Sequence, residues 1–425
     1  MKIKKILNNG ITLISHKLNN THCVTISVNF KVGSIYESND NNGITNLVEH
    51  LFFREWDTLG QEKLYYEMLT MGAEIIGKTY RDFVSFSITV VPEFFNNAFC
   101  LITKCLNRFS WDNQSIILEK KVVCKQIENN YQSFQNWIYS YYFTNTVFER
   151  SVMGNIDTIQ RLTASEINNW KKTYFCCNNS CVIITGNFTD EDLEKCRINL
   201  SLIENTGNSP EKISYIPKNF NRRDYSNRFK IINCDYSNTE TTIFFDINKE
   251  KSYETVRLLS SVLGEGCGSI LSKVLREETG LTDDVYTDLM CFNDFYRLSV
   301  SFTVNNDDFF VSIRYFFDCL KKCKMHISNN EYNASIRFFT SNQLIDLDNP
   351  KILNERYVLC DFVIPVITSE PLALKKQYEK ITCENLQICS NRIFTPKSIS
   401  FLIQTSCNHE KVKSFLEKQV SNLDE

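Results

Sequence analysis

Asn46, Glu49 and His50 stand at i, i+3 and i+4 in the run GITNLVEHLFF, residues 43–53. On a helix this spacing puts them on one face, with Cβ atoms about 5–6 Å apart. With histidine at 46 the run would read HxxEH. In that arrangement two imidazoles hold zinc and the glutamate between them acts as general base on the bound water. Asparagine offers only a carboxamide, a poor zinc ligand beside imidazole, thiolate or carboxylate. A Glu-His pair alone is commonplace on a helix, so its meaning rests on its surroundings.

Several elements are expected to position that pair. KKIL and ITLISHK flank Asn9-Gly10, a turn dipeptide that predicts a hairpin. The β-branched run CVTISVNFKV (23–32) predicts a strand ended by Gly33. Residues 43–54 read as a helix burying Leu47, Val48 and Leu51, and a second helix is expected over 62–71. GAEIIGKTYRDFVSFSITVVPE (72–93) reads as two strands, with Pro92 opening a helix. Helical character continues to about 148 with a break near Asn113. Thr163 and Glu166 form a capping-box signature. A short strand, Cys181–Thr185, stops at Gly186, and a helix starts near Asp190.

The stretch 204–226 is rich in Asn, Ser and Pro without apolar period and reads as a linker. Beyond it the order recurs: a strand in ETTIFFDIN, a helix in YETVRLLSSVLG, a glycine cluster, a helix, then strands around LSVSFTV. Element order thus predicts an α+β fold built from two related domains, 1–203 and 227–425, each a mixed sheet flanked by helices.

The chain has 425 residues, a soft prior of two to three domains. It is 43% hydrophobic and 23% charged, the composition of a folded chain rather than a disordered one. With 47 basic and 50 acidic residues the net charge is −3, which lacks the basic footprint of a nucleic-acid binder. No apolar run approaches the ~20 residues of a membrane helix. MKIKKILNNG lacks the apolar core of an export signal, so a cytoplasmic protein is expected. None of the 17 cysteines forms CxxC; most sit in apolar runs and read as small buried hydrophobes in a reducing compartment. Gly264, Gly266 and Gly268 match neither phosphate-loop spacing.

GSIYES (33–38), GITNLVEHLFF (43–53) and GAEIIGKTYRDFVSF (72–86) together resemble the pitrilysin–insulinase (M16) metallopeptidases, which read G-S-x-x-E, G-x-x-H-x-x-E-H-x-x-F and G-A-x-x-N-A-x-T. Further matches are Gly154, Tyr174 with Asn178 and Asn179, VIITGNF (182–188), and LGEGCGSILSKVLREETGL (263–281). The resemblance places a third zinc ligand, a glutamate, at the position 76 after His50, which is Gln126. Glu119, seven residues earlier, matches another family glutamate and supports the register. Glu128 would point about 200° away on a helix. The resemblance also implies a strand edge that pairs with substrate, here Ile76-Gly77-Lys78-Thr79, and an arginine that holds the substrate carbonyl, Arg276. Its tyrosine partner is replaced by Asp283.

The implied protein is a half-clamshell whose zinc positions, Asn46, His50 and Gln126, are degenerate and whose Glu49 is a vestigial base. Zinc is not expected. The resemblance implies a non-catalytic subunit that pairs with an intact HxxEH chain, or with itself, around unfolded peptide. An active peptidase with an atypical metal site and a scaffold without peptide binding are the alternatives.

Overall fold

The computed structural model describes residues 2–130, 138, 140, 141, 143, 147–205, 228–248, 252–266, 268–291, 295–364 and 368–423. It is an α+β protein of two compact units. One holds residues 1–215 and 345–369, the other 216–344 and 370–425.

The strands of the first unit are β1 (Lys2–Ile6), β2 (Thr12–Lys17), β3 (Val24–Phe30), a short hairpin of β4 (Glu55–Trp56) and β5 (Leu59–Gly60), β6 (Ile75–Thr79), β7 (Val84–Val90) and β8 (Ser180–Gly186). Its main sheet runs β1-β2-β8-β3-β7-β6. The hairpin turn at Asn9-Gly10 forms as expected, with Gly10 at φ +92°, a left-handed conformation that favours glycine. Helices α1 (Ile44–Phe52), α2 (Gln61–Thr70), α3 (Phe95–Thr103) and α4 (Asn113–Asn130) follow. Phe52 of α1 lies at the centre of the core, within ring distance of Trp56, Phe86 and Trp111 at 5.3, 4.9 and 5.2 Å. Burying each such ring contributes about 1.5–3 kcal/mol.

A distant carboxylate sets the start of α1. Gly43 has φ +95°, and no side chain at that position caps the helix. Instead buried Glu37 accepts from Gly43 N at 2.7 Å, Thr45 N at 2.9 Å and Asn42 Nδ2 at 2.8 Å. Burial raises the Glu37 carboxyl above its usual range, and these donors pull it partly back. A Cβ on Gly43 would come 2.8 Å from Gly154 Cα, so the two glycines of the motif permit one close crossing.

In the second unit the strands are β9 (Phe229–Asn233), β10 (Asn238–Asn248), β11 (Val285–Cys291), β12 (Phe295–Asn305) and β13 (Ile399–Thr405), in the order β11-β12-β10-β13-β9. Helices Tyr253–Gly264, Phe309–Met325 and Cys383–Ile393 share a core with Ile243, Phe245 and Ile247 of β10. The helix expected after the glycine cluster is wound as a π-helix, Ser272–Glu278.

The units are not a single cut of the chain. The linker stretch 204–226 lies, beyond residue 205, outside the described residues. Residues 345–369, expected in the second domain, belong to the first unit. The reason is the outer face of the first sheet, which the helix Pro350–Tyr357 covers: Ile14, Cys181 and Ile183 pack against Leu353 and Tyr357, and buried polar groups lie among them. Ser27 Oγ donates to Asn354 Oδ1 at 2.6 Å, and Asn354 Nδ2 donates to the carbonyls of Thr25 and Ile183 at 3.2 and 3.1 Å. Thr185 Oγ1 donates to Pro350 O at 2.7 Å. Groups buried this way need partners, and this helix supplies them.

Candidate functional site

The apolar period of α1 turns Leu47, Val48 and Leu51 into the core, which leaves Asn46, Glu49 and His50 on the face toward β6 and α4. Glu119, Val122 and Gln126 stand at i, i+3 and i+7 on α4, so they share one face too. Together with Gly77 and Thr79 of β6 they line an open cavity of about 570 Å³. The 76-residue register from His50 to Gln126 therefore brings both residues to one place. Glu128 is exposed and does not line the cavity. Arg276 lies in the second unit and is not among the lining residues.

His50 Nδ1 is 3.1 Å from Glu119 Oε1, and Arg54 Nε donates to Glu119 Oε2 at 2.5 Å. Glu119 is 5% exposed. Burial alone would raise its carboxyl, but His50 and Arg54 outweigh that and hold it below the usual range. Burial works against a charged His50. The Glu119 hydrogen bond and the neighbouring Glu49 charge overcome it, so His50 titrates above an ordinary histidine. Glu49 is 7% exposed, and desolvation pushes its carboxyl up despite His50 and a 3.4 Å hydrogen bond from Thr79 Oγ1.

Gly77 gives Glu49 its room. A Cβ there would come 2.0 Å from Glu49 Oε1 and 2.7 Å from Phe53 Cε2. Sequence reasoning quoted Gly77 without this role. It also missed Arg54, Gln61 and Tyr65, which complete the cavity wall. Arg54 follows His50 by four residues, so helical spacing could have suggested it. Gln61 and Tyr65 come from α2 and carry no such signal.

These residues do not fit a zinc ion. The positions that would ligate it offer one imidazole and two neutral carboxamides, Asn46 and Gln126. The nearby carboxylate, Glu119, is already engaged by Arg54 and His50. The buried Asn46 Oδ1 has no hydrogen-bond partner among the described residues. Nor do the described residues hold a cluster of three or more His, Cys, Asp or Glu disposed to bind a metal. What remains is a polar cleft beside a strand that ends its sheet. Such an edge can take up an extended peptide through main-chain hydrogen bonds.

A family model described as "Insulinase (Peptidase family M16)" matches residues 12–155, and one described as "Peptidase M16 inactive domain" matches residues 161–338. An uncharacterized zinc protease of Rickettsia bellii is 25% identical over 286 residues, 65% of this chain and 66% of that protein's length. Cytochrome b-c1 complex subunit 1 of Saccharomyces cerevisiae mitochondria is 26% identical over 51% of this chain and 49% of its own. Among solved structures, a peptidase M16 inactive domain from Pseudomonas fluorescens superposes with a TM-score of 0.84 at 14% identity, covering 96% of this chain and 98% of that one. No helix of the described residues is long and apolar enough to cross a membrane.

Proposed function

The chain belongs to the insulinase (M16) peptidase family, and from that membership we propose that it is a catalytically impaired, cytoplasmic member that holds peptide as the non-catalytic subunit of a heterodimeric zinc peptidase. One observation carries the reading: Asn46 and Gln126 stand in the same cavity as His50 and Glu49. The cleft has the residue of a general base, Glu49, but it lacks the ligand charge that offsets desolvating a divalent zinc. The partner is a chain with an intact HxxEH helix, and the substrate is an unfolded peptide laid along β6. Arg276 contacts a substrate carbonyl in the assembled pair.

Elemental analysis of the purified chain tests the reading, with well under one zinc per chain expected and no chelator-sensitive cleavage of unfolded peptides. One zinc per chain together with such cleavage overturns it. Asn46→His with Gln126→Glu should give chelatable zinc, and either change alone should do little, because ligands act as a set. In the pair with an HxxEH chain, Arg276→Ala should lower kcat/KM by about 10- to 100-fold, whereas Glu49→Ala should leave it unchanged.

The similarity to a respiratory-complex subunit favours a second reading, a scaffold that binds no peptide. Equilibrium binding of unfolded peptides to the isolated chain separates the two.

A further inference from the structure

A second cavity, of about 110 Å³, lies on the other side of β6, between the outer face of the sheet and the helix Pro350–Tyr357 with its continuation to Val363. That volume is several times what one water needs and admits a side chain of a few heavy atoms. Ser85 and Ser87 of β7 and Thr25 of β3 face it from the sheet, and Tyr80, Val358 and Leu359 give it apolar walls. Tyr80 is held by stacking on Phe83, with ring centroids 4.2 Å apart.

Charge sits at the rim. Lys78 Nζ is 3.5 Å from Glu355 Oε1, an exposed pair. Lys351 also lines the cavity and has no ion-pair partner among the described residues. Two ammonium groups therefore stand against one carboxylate.

β6 ends its sheet, and no strand among the described residues pairs with its outer edge. An extended peptide added to that edge would send successive side chains to opposite faces. One set would face the Glu49–His50 cavity, and the alternate set would face this smaller one. We propose that the smaller cavity is a side-chain subsite for the peptide held on β6 and that it selects an acidic residue, glutamate before aspartate. The inference rests on the peptide-holding reading. The methylenes of such a side chain lie against Tyr80, Val358 and Leu359, and its carboxylate accepts from Lys351 and Lys78. Lys351 supplies the selectivity, because the Lys78 charge is already matched by Glu355.

Fluorescence polarisation on the full chain tests this with labelled peptides of about ten residues, long enough to span the strand. They are alanine and serine except at one position, which carries Glu, Gln or Lys. The expected order is Glu, then Gln, then Lys, with roughly a 10-fold or larger ratio of Kd between the Lys and Glu peptides. Lys351→Glu should invert the order, and Lys351→Gln should reduce the ratio to about 3-fold or less. Both variants change an exposed residue, and unchanged thermal melting checks the fold. N-methylation of alternate peptide nitrogens should abolish binding in one register only, the signature of strand pairing. If that signature appears but the Glu and Lys peptides bind equally, or the preference survives Lys351→Glu, the subsite is wrong and the peptide reading stands. If none of the peptides binds, strand pairing on β6 fails and the subsite fails with it.

Discussion

The two units share one strand plan, and only one of them carries the candidate site. The order β2-β8-β3-β7-β6 corresponds to β9-β13-β10-β12-β11, with the same parallel pair, β2 with β8 and β9 with β13, and antiparallel neighbours elsewhere. In each unit a helix follows the central strand and packs against the terminal one. In the first unit α1 brings Glu49 to β6, and the strand makes room with Gly77. In the second the roles reverse. The helix Tyr253–Gly264 presents Gly264, whose absent Cβ would lie 2.4 Å from Thr287 Cγ2 of β11, and Ser260, whose carbonyl accepts from Thr287 Oγ1 at 3.3 Å. A duplicated fold thus fixes where a helix meets an edge strand, while a few side chains decide whether that meeting is a polar cleft or closed packing.

The helix starts sharpen the comparison most. The first residues of α1 depend on Glu37 reaching in from outside the helix. The second unit's helix is capped locally, with Ser252 Oγ accepting from Thr255 N at 3.4 Å. Glu37→Ala removes a buried acceptor from three donors and should cost about 3 kcal/mol. Ser252→Ala should cost about 1 kcal/mol. Denaturant titration gives the two values, and hydrogen exchange read by mass spectrometry assigns each loss to its helix. Equal costs would break the contrast.

The legible parts of the molecule were those governed by short-range spacing. The i, i+3, i+4 pattern at Asn46, Glu49 and His50 and the apolar stripe of Leu47, Val48 and Leu51 were enough to place α1 and its two faces. The alternation in 72–93 gave β6 and β7. The capping box at Thr163 formed as its spacing predicts. What escaped depends on distant partners. Apolar residues at Leu353, Tyr357 and Val358 announce a buried helix face, but no local rule says which sheet it covers. The answer lies in Ile14, Cys181 and Ile183, which pack against that face, and in Ser27, Thr25 and Thr185, which bond Asn354, all more than 160 positions away. Arg54 escaped for a smaller reason: it lies four residues after His50 within the expected helix 43–54, but its partner Glu119 is 65 positions away, and spacing along one helix does not name such a partner.

The next test exchanges the glycines. Gly77→Ala drives a Cβ toward Glu49 and Phe53, and Gly264→Ala drives one toward Thr287 alone. Each should cost about 1–3 kcal/mol as overpacking. Their rescues should differ. Thr287→Ser deletes the clashing methyl and should restore the Gly264→Ala chain almost fully. Glu49→Ala should restore only part of the Gly77→Ala loss. Phe53 remains 2.7 Å away, with its ring 5.8 Å from Trp56 and 6.2 Å from Phe86. Full rescue by Glu49→Ala would mean that Phe53 yields freely and that the carboxylate alone occupies the room Gly77 leaves.

The smallest expected effect separates the two arginines. Arg54 stands beside Glu119, whose side chain is 7% exposed, and removing the guanidinium leaves that carboxylate with His50 alone. Arg54→Ala should cost about 1–2 kcal/mol. Arg276 has a side chain 44% exposed, and its nearest acid is the adjacent Glu277 at 3.6 Å, itself 55% exposed. Solvent screens such a pair, and its contribution to stability is about 0–1 kcal/mol. Arg276→Ala should therefore change stability by less than about 0.5 kcal/mol, which urea midpoints of the two variants can check side by side. A larger loss would mean that Arg276 supports the second unit. The fall in kcat/KM expected for the assembled pair would then report folding instead of substrate contact. With stability unchanged, that same fall can be assigned to the guanidinium itself.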